Sequence, residues 1–227
     1  MVRGVLFDMD GLMFDTEVLG LEGWKTAGRK LGIELTDEMI ATFRGMGNRE
    51  RREQFIKLTG RPDLYDEAVA VRVSYSDSWI ARNGVPVKPG LKDLLDFLKM
   101  EGIPAALATS TERGKAEGYL REAGVEEYFA ASVCGAEAGR SKPAPDIFLK
   151  AAGKLGIPAA ECMVLEDSEN GIRAARAAGC MVTAVPDLSP APAEELGLWD
   201  WCVDSLPDVK DLIRSLNGAK ACTQGHE

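Results

Sequence analysis

The stretch Val5-Leu6-Phe7-Asp8-Met9-Asp10-Gly11 is an apolar run that ends in two aspartates and a glycine. A short run that is apolar throughout is typical of a parallel strand buried on both faces. Two later runs end in the same way: Ala105–Ala108 is followed by Thr109-Ser110-Thr111, and Met163–Leu165 is followed by Glu166-Asp167-Ser168. Ligands of open parallel sheets bind beyond the carboxyl ends of the strands. These acids and hydroxyls are therefore predicted to meet at one edge of a sheet.

The stretches between these runs have the pattern of amphipathic helices. Within residues 91–98, four leucines fall on one helical face, with the spacing i, i+3, i+4 and i+7. A glycine, which commonly ends a helix, stands between a helical stretch and an apolar run at four places: Gly102, Gly124, Gly156 and Gly179. Helix and strand therefore alternate, which predicts an α/β fold with a Rossmann-like parallel sheet core covered by helices.

Residues 16–83 interrupt this alternation. They contain helical patterns, such as Trp24 with Ala27 and Leu31, but no apolar run that resembles a buried strand. We therefore predict that residues 1–15 and 84–217 form the α/β core and that residues 16–83 form an inserted helical cap. Residues 218–227 are polar and are predicted to be a disordered tail without a function.

Composition narrows the classes of partner. The chain has 227 residues and a formal net charge of -9, so it has no general attraction for nucleic acid or anionic membranes. No apolar stretch approaches the roughly 18 to 20 residues that cross a bilayer, and the start of the chain lacks the pattern of a signal peptide. The five cysteines form no CxxC pair and the single histidine is His226, which argues against zinc. The scattered cysteines predict a reduced, cytoplasmic protein. We further expect a monomer that acts on a small molecule.

The four acids at the predicted sheet edge would repel one another if no cation lay between them. Asp8, Asp10, Glu166 and Asp167 offer hard oxygen ligands without histidine or cysteine, which points to Mg²⁺. A carboxylate that the metal does not fully use can attack phosphorus and form an aspartyl phosphate. Lys142, in a proline-rich loop before a helix, is the candidate that would offset the charge of the phosphate.

Each motif also has a simpler interpretation. Asp-x-Asp-Gly is common in turns, and Lys142 alone would be taken for a solvated loop lysine. Residues 109–111 and 166–168 could each begin a helix as N-caps. The order and placement of the four motifs together favour catalysis.

The same motifs resemble those of the haloacid dehalogenase superfamily. Residues 7–16 resemble its first motif, Thr109 matches the hydroxyl of the second, Lys142 the lysine of the third, and Glu166-Asp167 the acidic pair of the fourth. The resemblance is strongest to the branch of β-phosphoglucomutases and phosphatases with a helical cap. It implies that Asp8 attacks phosphorus, Asp10 acts as acid and base, Thr109 and Lys142 hold phosphoryl oxygens, and Asp167 with Glu166 serves Mg²⁺.

Within that branch the resemblance favours a phosphatase for small phosphorylated metabolites such as sugar phosphates. Mutases of the branch carry a histidine where this chain has Gly20, and a cap lysine that an ungapped count places at Ser76. Arg49 matches a cap arginine that contacts substrate, although it also lies in a run of arginines typical of a solvated helix face. The further candidates for substrate binding are Ser110, Gly11 and Thr16. A mutase, a dehalogenase and a non-catalytic sugar-phosphate-binding protein are the alternatives.

Overall fold

A computed structural model describes residues 1–44 and 46–221 of the chain. Its described residues form a six-stranded parallel sheet with the strand order β3-β2-β1-β4-β5-β6. The strands are β1 Gly4–Phe7, β2 Ala105–Thr109, β3 Phe129–Cys134, β4 Cys162–Glu166, β5 Met181–Ala184 and β6 Trp201–Cys202. The predicted α/β fold with a Rossmann-like parallel sheet is confirmed.

Nine α-helices are present in the described part of the chain. They are α1 Thr16–Leu31, α2 Asp37–Ala41, α3 Asn48–Thr59, α4 Tyr65–Asn83, α5 Leu91–Met100, α6 Arg113–Glu122, α7 Asp146–Leu155, α8 Glu169–Ala177 and α9 Leu206–Ala221. α-Helices connect consecutive strands from β1 to β5, as is usual for parallel pairing, whereas the connection from β5 to β6 contains only a short 3-10 turn, Glu194–Leu196. The four leucines predicted to share one face of α5 are all buried.

The central strand β1 is buried along its whole length because strands flank it on both edges. It pairs with β2 on one side, where Phe7 lies opposite Leu107, and with β4 on the other, where Phe7 lies opposite Leu165. The apolar runs recognised in the sequence therefore coincide with the middle strands. The two-residue strand β6 was not predicted, because two residues are too short to show a pattern.

The chain divides into two compact units. We call Met1–Met13, together with the described residues from Val87 onward, the core unit, and Phe14–Pro86 the helical unit. The core unit contains the whole sheet with α5 to α9. The helical unit contains α1 to α4 and has its own aromatic core, in which Trp24, Phe43, Phe55 and Tyr65 pack together.

The last helix is longer than the sequence suggested. α9 extends to Ala221, so residues 218–221, predicted to belong to a disordered tail, are helical. Alanine and lysine favour helices strongly enough to continue one past Gly218. Residues 222–227, which include Cys222 and His226, lie outside the described residues. In the part of the chain that the structure describes, no helix combines the length and apolar character needed to cross a membrane.

Candidate active site

The carboxyl ends of the three central strands bring the predicted site residues of the core unit together. Asp8 directly follows β1, Thr109 ends β2 and Glu166 ends β4. Because β1 pairs with both neighbours in parallel, these ends lie at the same edge of the sheet. The loop before α7 brings Lys142 to the same place, where its ammonium group lies 3.3 Å from the carbonyl oxygen of Ala108.

Lys142 links two of the predicted acids. Its Nζ donates to Asp8 Oδ1 at 2.5 Å and to Glu166 Oε1 at 2.6 Å. The three side chains are almost completely buried, with exposed fractions of 8% for Lys142, 10% for Asp8 and 0% for Glu166. The ammonium group also lies over the ring of Phe148, whose centroid is 5.0 Å from Nζ. Lys142 is therefore a buried cation held by carboxylates, and not a solvated loop lysine.

Burial and charge act in opposite directions on this pair. Burial, together with repulsion from Glu166 and Asp10, raises the pKa of Asp8 to about 8, although the charge of Lys142 acts in the opposite direction. Burial alone would lower the pKa of Lys142, but the carboxylates of Asp8 and Glu166 raise it well above its ordinary value. Lys142 is thus firmly cationic, and one ammonium group does not offset all the acids around it. A second cation at this position would favour the ionised form of Asp8.

Asp8, Glu166 and Asp167 form a group that could hold a metal ion, because one carboxylate oxygen from each lies within 4.8 Å of the others. Oxygen ligands of this kind fit a hard divalent cation such as Mg²⁺. Glu166 is the most constrained of the three: Oε1 accepts from Lys142, while Oε2 accepts from Ser168 N and Oγ, both at 2.9 Å. These three hydrogen bonds fix the orientation of the Glu166 carboxylate. Carboxylates at metal sites are commonly oriented by hydrogen bonds of this kind.

Two glycines make room for the acids. A Cβ atom on Gly171, in the first turn of α8, would overlap the carboxyl group of Glu166. A Cβ atom on Gly11 would overlap the carboxyl group of Asp167, and Gly11 also has a φ of 84°, which side chains rarely adopt. Gly11, predicted to bind substrate, therefore lies against a candidate metal ligand. The close approach at both places explains why the chain has glycine there.

The three hydroxyl side chains at the end of β2, those of Thr109, Ser110 and Thr111, differ in burial and in hydrogen bonding. Thr109 is 1% exposed, and its Oγ1 accepts from the amide of Thr111 at 3.1 Å. Thr111 Oγ1 in turn donates to Asp10 Oδ2 at 2.6 Å, a contact that the sequence analysis did not predict. Ser110 is exposed. None of the three hydroxyl side chains caps α6, whose N-cap residue is Glu112, so the simpler interpretation of this motif does not hold.

The other capping interpretation holds in part. Ser168 is the N-cap of α8, and its Oγ accepts from the amide of Gly171 at 3.2 Å. The same hydroxyl donates to Glu166, so a single serine both begins the helix and fixes an acid of the site.

A further acid of this edge was missed. Asp187 follows β5, its Oδ1 accepts from Lys88 Nζ at 2.5 Å, and its Oδ2 lies 3.3 Å from the point where a Gly11 Cβ would be, beside Asp167. Oδ2 is buried and has no hydrogen-bond partner among the described residues, which is typical of a site that holds an ion or water. The signal was available in the sequence, since the apolar run that ends at Val185 is also followed by an acid.

The remaining predicted substrate-binding residues belong to the helical unit. Thr16 is the first residue of α1 and is half-buried. Arg49 lies in α3 with 83% of its side chain exposed, and its Nε is 4.0 Å from Glu53 Oε1. The other arginines of the same segment, Arg44, Arg51 and Arg52, are partly buried.

Comparison with known proteins agrees with this geometry. Residues 2–179 match the model of the haloacid dehalogenase-like hydrolases. The phosphorylated carbohydrates phosphatase of Thermotoga maritima is 31% identical over 178 residues, which are 78% of this chain and 82% of that protein. The β-phosphoglucomutase of Bacillus subtilis is 29% identical over 201 residues, 86% of this chain and 88% of that protein.

A solved structure extends the similarity to three dimensions. The crystal structure of CbbY from Rhodobacter sphaeroides in complex with phosphate matches with a TM-score of 0.75 and 28% identity, covering 91% of this chain and 95% of that one. The predicted resemblance and the predicted enzyme class, a hydrolase of this type, are both confirmed. On these matches and on the arrangement of its strand-end acids, the chain belongs to the haloacid dehalogenase-like hydrolase family.

Proposed function

We propose that this protein is an Mg²⁺-dependent phosphatase that hydrolyses small organic phosphates, with sugar phosphates as the substrate class. The observation that carries the proposal is the buried ammonium group of Lys142, held between Asp8 and Glu166 at the carboxyl edge of the sheet. A fixed cation beside a carboxylate gives both a nucleophile and a partner for phosphoryl oxygens. The substrate would be a small phosphorylated metabolite.

In the proposed reaction, a carboxylate oxygen of Asp8 forms a bond to phosphorus while the ester P–O bond breaks. Asp10, held by Thr111, gives a proton to the departing alkoxide. Asp10 then takes a proton from a water molecule that attacks the aspartyl phosphate, and the bond between Asp8 and phosphorus breaks. Lys142 and Thr109 hold the phosphoryl oxygens through both steps.

Asp8, Asp167 and the main-chain carbonyl of Asp10 would hold Mg²⁺, with Glu166 beside them. When bound, the ion supplies positive charge that neutralises phosphoryl oxygens and keeps Asp8 ionised. The buried Asp187 oxygen next to Asp167 and the surplus of carboxylates over ammonium groups support a cation here.

The relatives support both hydrolysis and phosphoryl transfer between sugar hydroxyls, since one named relative is a sugar phosphatase and another a mutase. The helical unit favours hydrolysis. A Cβ atom on Gly20, where mutases of the branch have histidine, would lie 3.1 Å from Arg72 Nη2, so a side chain as large as histidine would displace that arginine. Ser76, at the position counted for the mutase lysine, donates instead to the carbonyl oxygen of Arg72.

The test is phosphate release from a panel of sugar phosphates and other small phosphates, with Mg²⁺ and with excess EDTA. The wild-type protein should release phosphate only with the metal, and Asp8→Asn should abolish release because an amide is not a nucleophile towards phosphorus. Asp93→Asn, in the first turn of α5 and exposed, is the matched control and should keep full activity.

Retained turnover in Asp8→Asn would reject the proposed nucleophile. Conversion of a hexose 1-phosphate to its 6-phosphate without release of phosphate would establish the mutase in place of the phosphatase.

A further inference from the structure

The helical unit contains an arginine whose side chain is seated against a neighbouring helix. Arg72, in α4, approaches two glycines of α1: a Cβ on Gly20 would lie 3.1 Å from Arg72 Nη2, and one on Gly23 would lie 3.0 Å from Arg72 Cγ. Glycine inside a helix is unfavourable relative to alanine. Gly20 therefore makes room for the end of the Arg72 side chain, and Gly23 allows the backbone of α4 to approach α1 closely.

One nitrogen of the Arg72 guanidinium group is left without an acceptor by the described part of the chain. Its Nε is buried and has no hydrogen-bond partner among the described residues. On one side it faces the ring of Trp24, whose centroid is 5.9 Å from Cζ. A buried charged donor that is left unsatisfied is costly, so this position is suited to an acceptor supplied from outside the chain.

A second guanidinium group lies close to the first. Arg51 donates from Nη2 to the carbonyl oxygen of Met46 at 2.6 Å, a bond that leaves its positive charge in place. Burial, and then repulsion from Arg72, lower the pKa of Arg51. The two arginines therefore repel each other in a partly desolvated setting.

Both arginines line a small cavity inside the helical unit, with a volume of about 30 Å³. Its charged lining consists of Arg44, Arg51, Arg72 and Glu17, so cations outnumber acids three to one among the described residues that form it. Trp24 and Phe43 supply an apolar wall. A cavity of this size has room for about two water-sized atoms.

We propose that this cavity is a binding site for the oxygens of a carboxylate or phosphate group, with Arg72 and Arg51 as its ligands. Two anionic oxygens fit the available space. They would accept from the Arg72 Nε and relieve the repulsion between the two guanidinium groups. A metal cation would be repelled by the arginines, and a neutral group would not relieve the repulsion between Arg51 and Arg72. This inference concerns the helical unit alone and does not depend on the phosphatase chemistry of the core unit.

The test uses the arginine Nε–H signals in NMR spectra of the full ¹⁵N-labelled chain, with Arg72 assigned by the loss of its signal in Arg72→Lys. Inorganic phosphate and acetate are titrated separately, against sodium chloride at matched ionic strength. The Arg72 signal should shift and saturate with at least one oxyanion and stay unchanged with chloride. The two titrations distinguish a phosphate ligand from a carboxylate ligand.

Two variants localise the effect. Arg51→Gln should weaken the binding read at Arg72 by about tenfold or more, because it removes one charged donor. Arg82→Gln, in the same helix but exposed and bonded through Nε to Ser78 O, should leave it unchanged. The proposal is overturned if no oxyanion moves the Arg72 signal beyond the effect of chloride, or if Arg51→Gln binds as tightly as the wild type. Phosphate release by the same sample reports on the core unit separately, so the two proposals can fail independently.

Discussion

The acid cluster of the core unit, which consists of Asp8, Glu166 and Asp167, differs from the arginine cavity of the helical unit, which Arg51 and Arg72 line, in how its charged side chains are paired. In the core unit, Lys142 is bonded to two carboxylates at 2.5 and 2.6 Å, so that the charges meet within the chain. In the helical unit, Arg72 meets glycines, an aromatic ring and a second arginine. The first arrangement is held together by its own ion pairs, whereas in the second the Nε of Arg72 has no acceptor among the described residues.

In both regions, glycines allow other groups to approach closely. The regions differ in whether the approaching group is fixed or flexible. Gly171 faces a carboxyl group that is fixed by three hydrogen bonds to Lys142 and Ser168. Gly20 faces the end of a long, flexible side chain, whereas Gly23 faces the backbone of Arg72. The difference predicts how much each site tolerates change, because fixed groups cannot move aside and flexible ones can.

The largest effect is expected when the ammonium group is removed from the core unit. Lys142→Met keeps the apolar stem but leaves Asp8 and Glu166 buried without their cation, which costs about 3 kcal/mol of unfolding free energy in the absence of metal. Phosphate release should be lost as well. Urea denaturation in EDTA measures the first effect, with Lys92→Met on the exposed face of α5 as the control. Equal stabilities of the two variants would show that the pair contributes nothing to the fold.

A smaller loss is expected from a methyl group placed against the acid cluster. In Gly171→Ala the Cβ would overlap the carboxyl group of Glu166, which is fully buried and cannot turn away without breaking its bond to Lys142. Overpacking of this kind costs about 2–3 kcal/mol. Gly118→Ala is the matched control in α6, where a Cβ would meet nothing within 4 Å, and it should stabilise the protein by up to about 1 kcal/mol. Thermal and urea unfolding of both variants measure the contrast, which disappears if Glu166 has room to move.

The acid that the sequence analysis missed gives the next effect. Asp187→Asn removes a negative charge beside Asp167 and weakens the ion pair with Lys88, so Mg²⁺ affinity should fall by about tenfold, as for other groups that support metal ligands. Calorimetric titration with Mg²⁺ measures the affinity without relying on turnover. Asp93→Asn again serves as the control, and an unchanged affinity in Asp187→Asn would separate this residue from the metal site.

The core unit was largely predictable because its strands and the polar residues that end them are encoded by short, continuous stretches of sequence. An apolar run of four or five residues followed by an acid or hydroxyl indicates a buried strand and the group at its end, which located Asp8, Thr109 and Glu166. The same rule, applied to the run that ends at Val185, would have located Asp187. Strand β6 escaped prediction since it is only two residues long.

The arginine cavity could not be predicted from local sequence patterns. Arg44, Arg49, Arg51 and Arg52 stand close together in the sequence, and nothing in their spacing tells which are buried. The structure leaves Arg49 exposed and places Arg51 beside Arg72, a residue from another helix. Their proximity depends on how closely α1 and α4 pack, and the glycines that permit it carry no strand or turn signal.

The smallest effect tests that packing directly. Gly23→Ala would place a Cβ 2.9 Å from the carbonyl oxygen of Arg72 and 3.1 Å from its Cα, so α1 and α4 must separate at a cost of about 1 kcal/mol. Gly20→Ala meets the mobile end of the same arginine at 3.1 Å. The gain in helix propensity should offset that contact, so its unfolding free energy should stay within about 0.5 kcal/mol of the wild type. Urea unfolding of the two variants side by side measures the difference. If Gly20→Ala were the more damaging of the two, the Arg72 guanidinium would be as rigidly held as the backbone, and the helical unit would resemble the acid cluster after all.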